Sequence, residues 1–192
     1  MTALLTTFFL VGLAEMADKT QLLTLCLTCK YPARKVLLGV ALAIAVLNLA
    51  AVLVGGLAGQ LLPVGPIKIV AGILFLAFGI WTLLAREDPA AEACEVTTEE
   101  RVRGGAVLTV AVAFLVAEIG DKTQLATLSL AARFETFFLV WLGASLGMLL
   151  ANGLAIGGGT LLSDRVPEAT LKKISGVLFI AFGIWTLVDV LA

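Results

Sequence analysis

Long apolar runs alternate with short polar breaks along the chain, and the runs fall at about 2–28, 36–61, 67–85, 104–131, 136–162 and 171–190. A membrane-spanning helix needs about 20 mostly apolar residues, so the pattern predicts an all-α integral membrane protein with six transmembrane helices. Several runs exceed that length, which predicts tilt, kinks or breaks. The one long polar connection, from Arg86 to Arg103, carries Glu87, Asp88, Pro89, Glu92, Glu95, Glu99 and Glu100. It reads as a solvated acidic linker between two halves.

The halves are copies. GILFLAFGIWTL from Gly72 matches GVLFIAFGIWTL from Gly176, differing only at Ile73/Val177 and Leu76/Ile180. The offset is 104 residues, and Asn48 matches Asn152 at the same offset. Three helices per half is an odd number, so the second half has to enter the membrane from the opposite side. Residues 1–85 form the N-terminal three-helix repeat, 86–103 the cytoplasmic linker and 104–192 the inverted C-terminal repeat. Such inverted repeats place substrate sites near the midplane between halves.

Composition agrees. The 192 residues are 60% hydrophobic and 14% charged, with a mean hydropathy of +1.08, which excludes a soluble domain of this size. A net charge of -1 without a basic tract gives no sign of nucleic-acid binding. Loop charges set the orientation. Lys30, Arg34, Lys35, Arg86, Arg101, Arg103, Arg165, Lys172 and Lys173 fall on one side, and Lys68 and Arg133 on the other. Nine against two places the first side in the cytoplasm, with both termini outside. The N-terminal run has no Lys or Arg ahead of it and no small-residue cleavage site, so a removed signal peptide is not expected. Cys26 and Cys29 make a lone C-x-x-C, and with Cys94 they read as packing or incidental thiols, since the chain has no His to complete a metal site.

Against this apolar background two charged motifs stand out, Glu15-Met16-Ala17-Asp18-Lys19-Thr20-Gln21 and Glu118-Ile119-Gly120-Asp121-Lys122-Thr123-Gln124, 103 residues apart. Charges at bilayer depth cost roughly 2.5 to 3.5 kcal/mol each on insertion scales. Something must use them. On a continuous helix Glu and Asp lie three positions apart on one face, with Lys beside them. Both motifs fall near mid-span, and a pseudo-two-fold axis would set Glu15 near Asp121 and Asp18 near Glu118. A pair of self-neutralising Glu–Lys fasteners is the bland alternative, but each motif has a carboxylate beyond its Lys.

The ligand types narrow the cargo. Four carboxylates, the Gln21 and Gln124 amide carbonyls and the Thr20 and Thr123 hydroxyls offer oxygen only, which suits Mg, Ca and Mn, whereas Zn, Cu and Ni call for His or Cys. The expected cargo is Mn2+ or Ca2+. Crowded buried carboxylates also favour protonation, so protons and metal compete for the same oxygens, the minimum for antiport. Lys19 and Lys122 are positioned to stand in for the cation when the site is empty. The motif threonines can instead bond back to the preceding turn and bend the helix.

Small residues recur every four positions at Gly143, Gly147, Ala151, Ala155 and Gly159, and with one gap at Gly39, Ala43, Ala51, Gly55 and Gly59. They predict close helix packing, or a smooth face along which the halves slide. Asn48 and Asn152, beside these stripes, read as interhelical hydrogen-bonding groups or ligands. Trp81 and Trp185 read as interfacial anchors.

At the charged motifs the chain resembles a family of small membrane cation:proton antiporters, which includes the MneA/Mnx-type manganese exporters and Golgi and chloroplast calcium/manganese transporters. The signature is E-hydrophobic-G-D-[KR]-[TS], met by residues 118–123 and, with Ala17 in place of Gly, by residues 15–20. The resemblance implies Mn2+ export, with Ca2+ as another substrate, driven by inward protons across a bacterial cytoplasmic membrane. It implies cation ligands at Glu15, Asp18, Glu118 and Asp121, with Thr20, Gln21, Thr123 and Gln124 in support. Ala17 puts symmetric use of the two motifs in doubt. The partners are then a divalent cation, protons and the lipid bilayer, with no nucleic acid and no cofactor; a homodimer is kept open. A cation channel is the competing reading. A metalloenzyme is disfavoured by the lack of His and of a nucleophilic Ser near the motifs.

Overall fold

The computed structural model describes residues 1–16, 19–61, 63–84, 105–134, 136–163 and 168–191. The acidic linker, Ala17 and Asp18 lie outside the described residues. Within them the chain forms helices α1 (Thr2–Glu15), α2 (Lys19–Lys30), α3 (Ala33–Leu61), α4 (Val64–Leu84), α5 (Gly105–Glu118), α6 (Lys122–Arg133), α7 (Phe137–Ser163) and α8 (Glu168–Leu191). No strand occurs among the described residues. By length and composition Ala33–Leu61 and Phe137–Gly157 each suffice to cross a membrane, while Thr2–Glu15, Lys68–Leu84, Gly105–Glu118 and Gly176–Val190 are shorter apolar helices.

The first and fourth apolar runs are each two helices, and both breaks fall inside the charged motifs. In the second copy the cause is local. Gly120 adopts φ +82, a left-handed backbone that costs a residue with a Cβ about 1–2 kcal/mol, and α5 stops two residues before it. The expectation of Glu118 and Asp121 on one face of one helix is therefore corrected: Glu118 ends α5, and Asp121 is the N-cap of α6 with φ -72 and ψ 163. Elsewhere the boundaries follow proline chemistry. Pro32 accepts from the N–H groups of Lys35 (2.8 Å) and Val36 (3.1 Å) and opens α3, and Pro66 sits in the first turn of α4, where no N–H is needed.

Packing crosses between the sequence halves. Helix α7 lies on α1 and α2, and α3 lies on α5 and α6, while α3 and α7 touch each other. The small-residue stripes make this approach. A Cβ on Gly143 would meet the Leu4 carbonyl oxygen at 2.6 Å, and one on Gly39 would meet that of Val107 at 2.7 Å. Helices α4 and α8 form the most extensive pair, with Phe75 stacked on Phe179 at 5.9 Å.

The exterior is far more apolar than that of a water-soluble protein, and charged and polar side chains lie inside. Leu38, Leu53, Val54, Val70, Ile73, Ile80, Trp81, Val177 and Trp185 are exposed, whereas Glu15, Glu118, Asn48, Asn152 and several threonines are buried. An apolar exterior around an interior that is apolar apart from these polar groups suits a lipid surrounding. One cysteine departs from expectation: Cys29 is a free, exposed thiol, but Cys26 is disulfide-bonded.

Candidate cation site

Two glutamates end two half-helices. Glu15 is the last residue of α1 and Glu118 the last of α5. They are 0% and 1% exposed, a burial that costs several kcal/mol per charge unless other groups replace the lost water. The backbone breaks follow directly, so each carboxylate lies at the junction of two half-helices, as discontinuous membrane helices present ion sites.

Around Glu15 the replacement groups come from both halves. The Thr20 hydroxyl donates to Glu15 Oε1 at 2.7 Å. Asn152 Nδ2, from α7, donates to the same oxygen at 3.0 Å and to the Met148 carbonyl at 3.1 Å. The Thr24 hydroxyl lies 2.9 Å from Asn152 Oδ1 and 2.7 Å from the Thr20 carbonyl, so its one proton is shared between them.

The second half-site repeats the parts in a looser form. Thr123 Oγ1 lies 3.4 Å from Glu118 Oε2 and 3.4 Å from Asp121 Oδ2. Asp121 also accepts from the Thr123 N–H at 3.5 Å. Thr127 Oγ1 lies 2.9 Å from the Thr123 carbonyl and 3.4 Å from Asn48 Oδ1. Here the asparagine faces elsewhere: Asn48 Nδ2 donates to Ser145 Oγ at 3.3 Å and to Met148 Sδ at 3.5 Å. Met148 on α7 thus touches both networks.

Of the residues singled out in sequence, Glu15 with Thr20 and Glu118 with Asp121 and Thr123 are brought together. Gln124 Oε1 accepts from the Gly120 N–H at 2.8 Å, which ties down the break, and Gln21 Nε2 reaches the Ala151 carbonyl at 3.5 Å. Asp18 and the Lys19 side chain lie outside the described residues. The expected four-acid cluster includes Asp18 and so lies partly outside the described residues; among the described residues no group of three or more His, Cys, Asp or Glu is placed to hold a metal. In the second motif the break moves Asp121 from the face beside Glu118 to the cap of the next helix. Thr24 and Thr127 were missed. The signal existed, because a Thr stands nine positions after the Glu in both copies. The back-bonding expected of Thr20 and Thr123 is made one turn later by this pair.

Both half-sites offer carboxylate, hydroxyl and amide oxygens in a water-poor interior, a donor set suited to a hard cation or a proton. A family model described as divalent cation/proton antiporter GDT1 matches residues 3–90 and 106–192. The chain belongs to this GDT1 family. It is 32% identical over 204 residues to the GDT1-like protein sll0615 of Synechocystis, covering 97% of this chain and 98% of that one. It is 34% identical over 180 residues to a Vibrio cholerae protein named "Putative manganese exporter", covering 92% and 86%. The chloroplastic protein PAM71 of Arabidopsis thaliana is 28% identical over 208 residues, covering 95% of this chain and 56% of that one. No solved structure matches. A GDT1 chain is a cation transporter rather than an enzyme, and the two matched segments leave out residues 91–105, where most of the acidic linker falls.

Proposed function

We propose that this GDT1-family chain exports Mn2+ in exchange for protons, with Ca2+ as the second candidate cargo. The observation that carries the reading is the pair of fully buried glutamates at the ends of α1 and α5, each held by a threonine within a network that reaches into the other half. A carboxylate in such a place exchanges a proton for a metal ion at little geometric cost, because the hydroxyl and amide oxygens around it serve either occupant. The manganese assignment is favoured by the Vibrio cholerae relative's name and by the oxygen-rich donors.

In this reading Glu15 and Glu118 carry the cation, Asp18 and Asp121 complete the acidic set, and Thr20, Thr123, Gln21 and Gln124 orient or relay it. The six spans form two inverted three-helix repeats, residues 1–85 and 104–192, joined by the 86–103 linker in the cytoplasm, with both termini outside a bacterial cytoplasmic membrane. A channel is the less favoured alternative, since the carboxylates are enclosed rather than lining an open path.

The test is uptake into inverted vesicles with Mn2+ and Ca2+ compared at several pH values. Saturable Mn2+ uptake that dissipates an imposed pH gradient, and its loss in Glu118→Gln, is expected. Undiminished transport in that variant would remove its carboxylate from the mechanism, and single-channel current would favour the channel.

A further inference from the structure

The α4–α8 pair is close to symmetric. A Cβ on Gly79 would meet the Gly176 carbonyl at 2.8 Å and one on Gly176 the Gly79 carbonyl at 3.2 Å, while Gly72 and Gly183 meet each other's carbonyls at 3.2 and 3.0 Å. Small residues at these positions let the two backbones pack closely along their length. What the pair leans on is not symmetric. Helix α4 packs on α6 and α8 packs on α1, whereas the equivalent pairings, α8 with α2 and α4 with α5, have no comparable contact among the described residues. In the charge-derived topology α1 and α6 are the outer halves of the two broken helices. The pair is therefore closed against the outer half of the molecule.

At that mouth an ion cluster ties three helices together. Arg133, the last residue of α6, donates to Thr186 Oγ1 at 3.0 Å and to Asp189 Oδ2 at 3.3 Å, both on α8. Lys68 on α4 donates to the same Asp189 oxygen at 2.8 Å. The Arg133 guanidinium also lies over the Trp185 ring at 4.7 Å and the Phe182 ring at 5.6 Å. An exposed ion pair alone contributes little. Arg133 is only 11% exposed, however, and a shielded guanidinium over aromatic faces holds more tightly.

The duplicated sequence does not repeat this cluster residue for residue. The offsets put Lys30 at the place of Arg133, Lys172 at that of Lys68 and Ala85 at that of Asp189. The acid is the position that the repeat does not keep, the next acid along the chain being Glu87. We propose that Arg133, Asp189 and Lys68 form an ionic latch that holds the α4–α8 pair shut over the outer mouth. The latch opens once per transport cycle. Its opening in each cycle rests on the antiport reading; the closed mouth, placed outside by the loop charges, is testable without cargo.

The reporter is Leu10→Cys in a Cys29→Ser background. Leu10 is 8% exposed and lines a cavity of about 320 Å³ between α1 and α8 that Phe182 and Trp185 also line. An impermeant maleimide is applied to intact cells and, in a parallel arm, to inverted vesicles. Asp189→Asn and Arg133→Gln are each expected to raise the outside labelling rate about tenfold by shifting the population towards the open mouth. Asp189→Glu, which keeps the charge, is expected to stay within about twofold of the parent. Unchanged labelling in both neutral variants overturns the latch, as does Asp189→Glu behaving like Asp189→Asn. A rise from the vesicle side alone overturns the assignment to the outer mouth. Failure of metal transport in the parent would sink the antiport reading and leave this result standing.

Discussion

Replacing Asn152 by Ala separates the two half-sites that the duplicated sequence makes look equal. Asn152 donates to a glutamate oxygen at 3.0 Å and spans the halves, while its repeat mate Asn48 donates to Ser145 at 3.3 Å and the Met148 sulfur at 3.5 Å. A hydrogen bond to a charged acceptor contributes about 1.5–3 kcal/mol and a neutral one about 0.5–1.5 kcal/mol. With about 1.4 kcal/mol per tenfold, Asn152→Ala is expected to weaken Mn2+ affinity about 10- to 100-fold, provided the Glu15 carboxylate is used in binding. Asn48→Ala is expected to weaken it about tenfold or less. Vesicle uptake over a Mn2+ concentration series reads the KM of each variant, and thermal melting in detergent checks that both fold. Equal KM values for the two variants, with both folded, would refute the claim that the Glu15 site is the tighter one.

Gly120→Ala is expected to lower thermal stability by the equivalent of about 1–2 kcal/mol, because the residue sits at φ +82 and a Cβ there is strained. Since no heavy atom lies within 4 Å of that Cβ, a loss much larger than this, read from the melt, would mean that strain is the wrong account. Gly147→Ala and Gly153→Ala form a contrasting pair on α7. The first puts a Cβ 2.6 Å from the Phe8 carbonyl and 2.9 Å from the Gly12 nitrogen, and the second meets nothing. Gly147→Ala is expected to reduce folded yield markedly. Gly153→Ala should raise helix stability by about 0.5–1 kcal/mol, and equal yields would contradict the α1–α7 packing.

Much of the site was legible in the residues. Charges inside an apolar run are costly enough to announce themselves, and their recurrence at residues 15–21 and 118–124 marked both half-sites. Oxygen-only side chains and the lack of His pointed to a hard cation. The stripe at Gly143 and Gly147 marked the close approach of α1. Less was legible about arrangement. The side chains at 118 and 121 share a face only if the helix continues, and the Gly at 120 that allows the break is equally compatible with an unbroken helix.

The sequence by itself determined the membrane setting, the duplication and the identity of the buried acids, because hydropathy, repeat spacing and side-chain type are properties of the chain as written. Tertiary structure decided which groups complete each acid. Asn152 reaches Glu15 while Asn48 turns to Ser145 and Met148, and Arg133 reaches Asp189, 56 positions further along the chain. Those choices depend on how α3 and α7 lie across the broken helices and on which half-helices the α4–α8 pair leans. Two copies of one pattern cannot specify that, since the same pattern is compatible with closure at either mouth.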